Sequence, residues 1–258
     1  MIGQDHLGQT TVDSVSSFMD HMRSEFQGFG KTVYWFRGQS SSLWSLIPSV
    51  HRSYDQKGEN NLAALFRLSA PTRYPKTPEL SDLSGWISLM QHFGLPTRLL
   101  DWTASPLVAL FFALDTEVGT DDAAVWSLVP SKLNATSSGS PEEVFVLSGP
   151  EASPLLLAGL NRGAPVDKVL AVIGQEVDLR MTVQQGAFTL HGTNVALNKQ
   201  PDAEGYLAKL VIPYASREKL KEELWVLGIR RSSLFPDLAN LALDLATDDR
   251  RTPRIIKT

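Results

Sequence analysis

The sequence predicts an α+β fold with a mixed, mostly antiparallel sheet flanked by helices. Two features predict it. Short runs rich in β-branched and aromatic residues recur along the chain, and they are bounded by glycine and proline. Between them lie stretches whose apolar residues recur at helical spacing. The chain has 258 residues, of which 43% are hydrophobic and 20% are charged, so we expect one large globular domain.

Composition excludes several classes of protein. The formal net charge of −4 gives no overall basic field, which disfavours a dedicated duplex-binding protein but leaves a local basic patch open. Cysteine is absent, which excludes disulfides, thiol nucleophiles and thiolate metal sites. The sequence has no apolar run of about 18 residues and no signal-like start. We therefore expect a cytoplasmic location and no membrane partner.

The elements follow in order from apolar spacing and from glycine and proline punctuation. Gly94 has the position of a left-handed helix cap, with Pro96 preventing continuation, and Ser105 with Pro106 forms the start of a buried helix. The predicted elements are a helix over 11–27, a strand over 32–37, a loop over 40–52, a helix over 59–70, an extended linker, a helix over 81–93, a strand or extended loop over 95–101, a helix from 106, a strand over 123–129, a loop over 134–141, an irregular region over 142–164, a strand over 168–173, a strand over 179–192 with a bulge at Gly186, a strand over 206–213, a helix over 217–227 and a helix over 233–245.

Polar residues lie just before the start of the buried helix. Arg98, Asp101 and Thr103 must all find partners there, because a buried polar group without a hydrogen bond is costly. The positive end of the helix favours either a bound phosphate or Asp101 as the local anion. The alternative is an internal ion pair between Arg98 and Asp101 that fixes the loop.

Arg37 leaves the end of a strand next to Gly38. Glycine allows a ligand or another backbone to approach closely, and a guanidinium group is suited to anchoring an anion. The alternative is that Arg37 extends from the sheet edge to pair with a carboxylate.

Other types of site lack their sequence patterns. The histidines form no H-x-x-x-H or H-E-x-x-H pair, which disfavours a histidine metal site, and we expect no metal. Phosphate-binding glycine loops and the hydrolase elbow are also missing from the sequence. A nuclease would need clustered carboxylates, for which only Asp101 and Glu176 or Asp178 are suitably placed. It is the weaker alternative.

Several segments resemble the FRG domain, a family named for its Phe-Arg-Gly motif, here Phe36, Arg37 and Gly38. Family members occur in bacteria and phages, in settings typical of toxin–antitoxin and conflict systems. The resemblance implies a toxin or phage-defence effector with a cognate antitoxin or chaperone as a possible partner. It also implies an N-terminal helix over 1–30, the FRG domain over 31–245 and a tail over 246–258. The segments that carry it are YWFRGQ at 34–39, QHFGLPTRLLDWTASPLVALFFA at 91–113, RMTVQQGAF at 180–188 and LFPDL at 234–238.

A remoter resemblance is to ADP-ribosyltransferases of the toxin type. These enzymes carry an Arg at the end of a first strand, a hydroxyl motif between a strand and a helix, and a late strand with Gln or Glu. The resemblance implies NAD as substrate, with Arg37 on a phosphate, Thr103 and Ser105 on the nicotinamide ribose, and His191 or Gln184 near the ribose or the attacking nucleophile. The implied catalytic residues are Arg37, Asp101 and Gln184. The implied NAD-binding residues are Arg37, Gly38, Gln39, Arg98, Trp102, Thr103, Ser105, Phe188 and His191.

One departure from that pattern matters for the chemistry. Gln184 and Gln185 stand where those enzymes carry a catalytic Glu, and an amide cannot act as a base or stabilise positive charge as a carboxylate does. Either Asp101 supplies the charge, or the domain binds a nucleotide without turnover.

A non-catalytic module could also bind a nucleotide or nucleic acid, by charge through Arg37 and Arg98 and by stacking on Trp35, Trp44 and Trp102. A third possibility is an interaction protein whose aromatic residues are only core. The acceptor, whether protein, RNA, DNA or small molecule, is not identified by the sequence.

Overall fold

A computed structural model describes residues 12–25, 32–116, 118–139, 143–174 and 179–247. These residues form an α+β fold with a seven-stranded sheet and eleven α-helices. Among them, no helix combines the length and apolarity needed to cross a bilayer. Thr11, Glu176 and Asp178 lie outside the described residues. The same holds for residues 1–11 of the predicted N-terminal helix segment and residues 248–258 of the predicted tail.

The sheet is mixed and mostly antiparallel, as predicted. The strands are β1 (Trp35–Gln39), β2 (Leu99–Thr103), β3 (Ala123–Leu128), β4 (Phe145–Val146), β5 (Val169–Ile173), β6 (Gly186–His191) and β7 (Leu207–Ile212). Their order across the sheet is β4-β5-β6-β2-β1-β3-β7, and only the β4–β5 pair is parallel.

Helices cover the sheet on both faces. They are α1 (Val15–Glu25), α2 (Ser49–Ser53), α3 (Gln56–Ser69), α4 (Leu83–His92), α5 (Pro106–Leu114), α6 (Pro130–Ser138), α7 (Ser153–Leu160), α8 (Leu179–Gln184), α9 (Arg217–Val226), α10 (Arg231–Leu234) and α11 (Leu238–Thr247), with short 3₁₀ helices at Ala70–Thr72, Leu197–Lys199, Ala203–Gly205 and Tyr214–Ser216. One core cluster joins α1, α5 and α9 to the β1–β3–β7 half of the sheet. A second joins α3, α4 and α7 to the β5–β6–β2 half, and a third covers the opposite face.

The centre of the sheet is split between β1 and β2. Those two strands share one residue pair, Phe36 with Thr103, whereas β2 pairs with β6 over five positions and β1 pairs with β3 over five. Backbone groups beyond Phe36 and Thr103 therefore have no ladder partner on the facing strand. An opening results between the middle strands, with Arg37 on one side and Asp101 on the other.

Gly38 lets α5 lie directly on β1. A Cβ atom at this position would stand 2.0 Å from the Ala109 carbonyl oxygen and 2.4 Å from the Ala113 nitrogen. No real Cβ tolerates such contacts, so a backbone, and not a ligand, occupies the space that this glycine leaves.

The local signals around the central stretch are confirmed. The fourth helix ends at His92, and Gly94 follows with φ of 75°. Ser105 caps α5 through its hydroxyl, which accepts from the Val108 N–H, and Pro106 is the first helical residue.

Two predicted loops contain helices. Ser49–Ser53 forms α2 within the loop predicted over 40–52, and α6 replaces most of the loop predicted over 134–141. In α6, the buried Asn134 side chain donates to the Ala171 carbonyl and accepts from the Ala171 N–H. This tertiary pairing outweighs the poor helix propensity of the small polar residues around it.

The strand predicted over 179–192 is wrong in its first half. Residues 179–184 form α8, and β6 begins at Gly186, which pairs in regular register with Thr103 and is not a bulge. The break lies at Gln185, whose φ of 49° is left-handed and ends the helix.

We predict that Gly38→Ala destabilises the protein by about 1–3 kcal/mol, because the new methyl group forces α5 away from β1. Gly205→Ala is the matched control, since a Cβ there meets nothing within 4 Å. Urea unfolding of both variants measures the difference. Equal stability of the two would contradict the close packing of α5 on β1.

Candidate functional site

The opening between β1 and β2 is a cavity of about 440 Å³. Its wall is built by β1, α2, the end of α4, β2, α5 and α8, which are far apart in sequence. The polar and aromatic residues on that wall are Phe36, Arg37, Gln39, Ser40, Trp44, Ser49, Arg52, Gln91, Asp101, Trp102, Thr103, Phe112 and Gln184. Among these residues Asp101 is the only carboxylate, and there are two guanidinium groups.

Arg37 crosses the split in the sheet. Its Nη1 donates to the Asp101 carbonyl oxygen at 2.6 Å and lies 3.9 Å from the Asp101 carboxylate. The side chain is 20% exposed, and its buried Nε has no hydrogen-bond partner among the described residues. Burial lowers the pKa of Arg37, Asp101 raises it, and Arg52 lowers it further. An anion in the cavity would compensate the desolvated charge of Arg37.

Arg52 supplies a second cation to the same wall. Its Nε and Nη2 donate to the Ile47 carbonyl at 3.2 and 2.9 Å, which orients the exposed guanidinium group on α2. Because Arg37 and Arg52 share the cavity with one carboxylate among the described residues, that part of the wall carries a surplus of positive charge.

A hydrogen-bond chain orients Asp101. The Leu99 N–H donates to Thr97 Oγ1 at 3.1 Å, so the Thr97 hydroxyl hydrogen is directed to Gln91 Oε1. The Gln91 amide nitrogen then faces Asp101 and donates to its Oδ1 at 2.8 Å. The orientation of the amide follows from this network, and it presents the carboxylate to the cavity in a defined position.

The end of α8 is joined to the end of β2. Thr103 Oγ1 donates to the Gln184 carbonyl at 2.6 Å, and the Ala104 N–H donates to the Gln185 carbonyl at 3.1 Å. Gln184 lines the cavity, and its side-chain nitrogen donates to the Leu234 carbonyl at 2.9 Å. Gln184 and Asp101 therefore belong to one wall although they are distant in sequence.

Other predicted residues have structural partners. Thr103 Oγ1 accepts from the Ser105 N–H at 3.1 Å, and the Ser105 hydroxyl caps α5. Gln39 is buried on the cavity wall, where its Oε1 accepts from Trp126 Nε1 at 2.7 Å. The Thr103 and Ser105 hydroxyls thus help to build the turn from β2 into α5.

Arg98 does not line the cavity. It is 3% exposed and pairs with Glu59 through two hydrogen bonds, at 2.8 and 2.5 Å, while Nη1 donates to the Leu155 carbonyl. A Cβ at Gly159 would stand 2.4 Å from Arg98 Nε, so this glycine makes room for the guanidinium group. The ion pair considered between Arg98 and Asp101 is replaced by one that joins β2 to α3.

Phe188 and His191 lie behind the cavity wall. Phe188 packs in the core against α4 and α7. His191 is fully buried, its Nε2 lies 2.9 Å from Thr189 Oγ1, and its Nδ1 has no partner among the described residues. Burial holds the pKa of His191 well below its ordinary value of 6.5, and His51, Arg37 and Arg98 lower it further.

Arg52 and Gln91 were not predicted as site residues, and Trp44 was predicted only as a residue on which a nucleotide or nucleic acid could stack. All three lie within the FRG-like segments or beside them, but their sequence gives no sign of which side chains meet. Arg52 reaches the cavity because α2 turns it there, three residues after Ser49, and Gln91 because α4 ends beside β2.

A comparison with known families finds a match over part of the chain. Residues 32–122 match the FRG domain. The matched segment holds Arg37, Arg52, Gln91 and Asp101, so it supplies both cations and the carboxylate of the cavity. It is shorter than the 31–245 that the sequence suggested, and it leaves Gln184 outside. No curated protein and no solved structure matches the chain.

We predict that the free energy of unfolding falls as the pH drops from about 7 to 5, partly because of His191. In the unfolded chain the imidazole takes up a proton near its ordinary pKa of 6.5, whereas in the folded chain burial keeps it neutral. Stability conferred by the neutral form is therefore complete above that pKa and is lost below it. One such proton contributes a slope of at most about 1.4 kcal/mol per pH unit.

Urea unfolding at several pH values measures this slope. The His191→Leu variant should show a shallower loss between pH 7 and 5 than the unsubstituted protein, whatever its absolute stability. Identical slopes in the two proteins would show that His191 titrates normally in the folded state.

Proposed function

We propose that the cavity between β1 and β2 binds NAD and that the protein transfers ADP-ribose from NAD to a macromolecule. The single observation that carries the proposal is the meeting of Arg37, Arg52 and Asp101 in one cavity of about 440 Å³. It puts a site for anions next to a carboxylate. NAD needs both, because its pyrophosphate is anionic and its reacting ribose becomes cationic.

The two guanidinium groups are suited to the pyrophosphate. Arg37 lines the cavity with a side chain that is 20% exposed, and Arg52 lines the same space from α2. Charge-assisted hydrogen bonds to phosphate oxygens are strong and directional. Trp44, which is 44% exposed on the cavity wall, offers a surface on which an aromatic base of the ligand can stack.

Asp101 is suited to the chemical step. Loss of nicotinamide breaks the bond between its nitrogen and C1′ of the ribose, and positive charge develops on the sugar. A carboxylate near C1′ stabilises that charge, and its fixed position through Gln91 and Thr97 means that little reorganisation is needed during the reaction. Gln184 borders the same cavity.

The resemblance to toxin-type ADP-ribosyltransferases supports the same assignment. Two of its expected positions, Arg37 and the Asp101–Ser105 block, lie on β1 and on and just after β2, which are neighbours in the sheet. The third, Gln184, lies at the end of α8 and not on a strand. With the FRG domain match, this supports an effector role in a toxin or phage-defence system with a cognate antitoxin or chaperone.

A second candidate is nucleotide binding without turnover. Gln184 favours it, because its side chain is an amide and is already engaged with the Leu234 carbonyl. In that case NAD would bind, but no nicotinamide would be released.

We predict that Arg52→Gln weakens NAD binding roughly 10- to 100-fold, since a hydrogen bond to a charged group contributes about 1.5–3 kcal/mol. Arg37→Lys should also weaken it, because lysine keeps the charge but loses the forked geometry. Titration calorimetry with NAD measures both. The control is Arg23→Ala, whose side chain is 65% exposed and pairs with Asp20 on α1.

Unchanged affinity in Arg52→Gln and Arg37→Lys, with normal thermal unfolding, would refute the assigned pyrophosphate site. Release of nicotinamide, followed by chromatography, separates the two candidate functions. We expect Asp101→Asn to bind NAD but to release nicotinamide at least about 100-fold more slowly, as for loss of one electrostatic group.

A further inference from the structure

A second, smaller hollow adjoins the large cavity at Asp101. It has a volume of about 70 Å³, and Gln91, Asp101, Trp102 and Gln184 border both it and the large cavity. A group bound in the small hollow would lie next to the reacting part of a ligand bound in the large one.

The two spaces differ in charge. The large cavity contains Arg37 and Arg52, whereas Asp101 is the only Asp, Glu, Lys or Arg among the described residues that border the small hollow. The other polar residues on its wall are Ser88, Gln91, His92 and Gln184. The Asp101 side chain is 59% exposed, and its two oxygens have more acceptor sites than Gln91 and Arg37 use. The small hollow is therefore suited to a group that donates hydrogen bonds or carries positive charge.

Size and wall chemistry narrow the class of ligand. A volume of about 70 Å³ admits several water molecules, so the end of a side chain can enter it. Trp102 and Phe188 border the hollow but are only 3% and 6% exposed, so Asp101 is the group that an entering side chain would meet.

We propose that the small hollow is the acceptor subsite of the transferase and receives the guanidinium or ammonium group of a basic protein side chain. This inference rests on the proposed function, because it takes NAD as the occupant of the large cavity. The net charge of −4 favours a basic protein acceptor over a nucleic acid.

The transfer step balances without a further reactant. A side-chain nitrogen forms a bond to C1′ of the ribose while the bond from C1′ to the nicotinamide nitrogen breaks, and nicotinamide leaves as a neutral molecule with the electron pair. The attacking nitrogen loses one proton, which the Asp101 carboxylate accepts and passes to water.

Transfer of adenylate-labelled NAD to short synthetic peptides tests the proposal. One peptide carries a single arginine, one a single lysine and one citrulline, a neutral analogue of arginine, in an otherwise identical uncharged background. Single-stranded RNA and DNA oligonucleotides form the other arms. We expect label on the arginine or lysine peptide, at least tenfold less on the citrulline peptide, and none on the nucleic acids.

The matched variant is Ser88→Leu, which fills the small hollow but does not touch the large cavity. It should keep NAD affinity within about twofold and lose at least tenfold of the transfer to peptide. Direct titration of the arginine peptide without NAD gives a readout independent of turnover, and Ser88→Leu should abolish that binding.

The outcomes separate the two proposals. If NAD does not bind, the proposed function fails, and peptide binding alone then decides whether the hollow takes a cation. If NAD binds and is cleaved but the label appears on nucleic acid, or equally on the citrulline peptide, the acceptor assignment is overturned while the proposed function stands.

Discussion

The contact between Arg37 and the Asp101 backbone across the split sheet organises the whole site. Where β1 and β2 stop pairing, the Asp101 carbonyl would lose its ladder partner, and the Arg37 guanidinium takes that place at 2.6 Å. A charged side chain thus replaces a backbone hydrogen bond. The exchange keeps the two halves of the sheet together while opening a polar cavity at its centre.

The packing around the split makes that exchange possible. Gly38 lets α5 lie on β1, and the Glu59–Arg98 ion pair holds β2 to α3 on the other half of the sheet. Removing one partner of such a buried pair leaves an uncompensated charge and is strongly destabilising. The site residues Arg37 and Asp101 lie on strands of the sheet, whereas Arg52 is exposed on α2.

Local chemistry made part of this fold predictable. Gly94 and the Ser105–Pro106 pair marked helix boundaries because their backbone and capping preferences act within a few residues. Tertiary partners were not predictable in the same way. Asn134 lies in a helix where a loop was predicted, and its side chain pairs with the Ala171 backbone. Arg98 pairs with Glu59, which is distant in sequence.

The residues of the candidate site also differ in whether the sequence alone could identify them. Arg37 and Asp101 were identifiable because each lies in a distinctive local pattern, Arg37 next to Gly38 and Asp101 just before the helix start at Ser105. The structure brings them together, each in the middle of its strand. Arg52 and Gln91 were not, since their contribution depends on how α2 and α4 dock onto the sheet. Only the folded arrangement shows that Thr97 orients Gln91, which in turn orients Asp101.

The most direct test of the central claim is a crystal structure of the protein grown or soaked with NAD. We expect the pyrophosphate to lie within hydrogen-bond distance of the Arg37 guanidinium and the nicotinamide ribose to lie beside the Asp101 carboxylate. An empty cavity between β1 and β2 at saturating NAD, or NAD bound elsewhere on the protein, would contradict it.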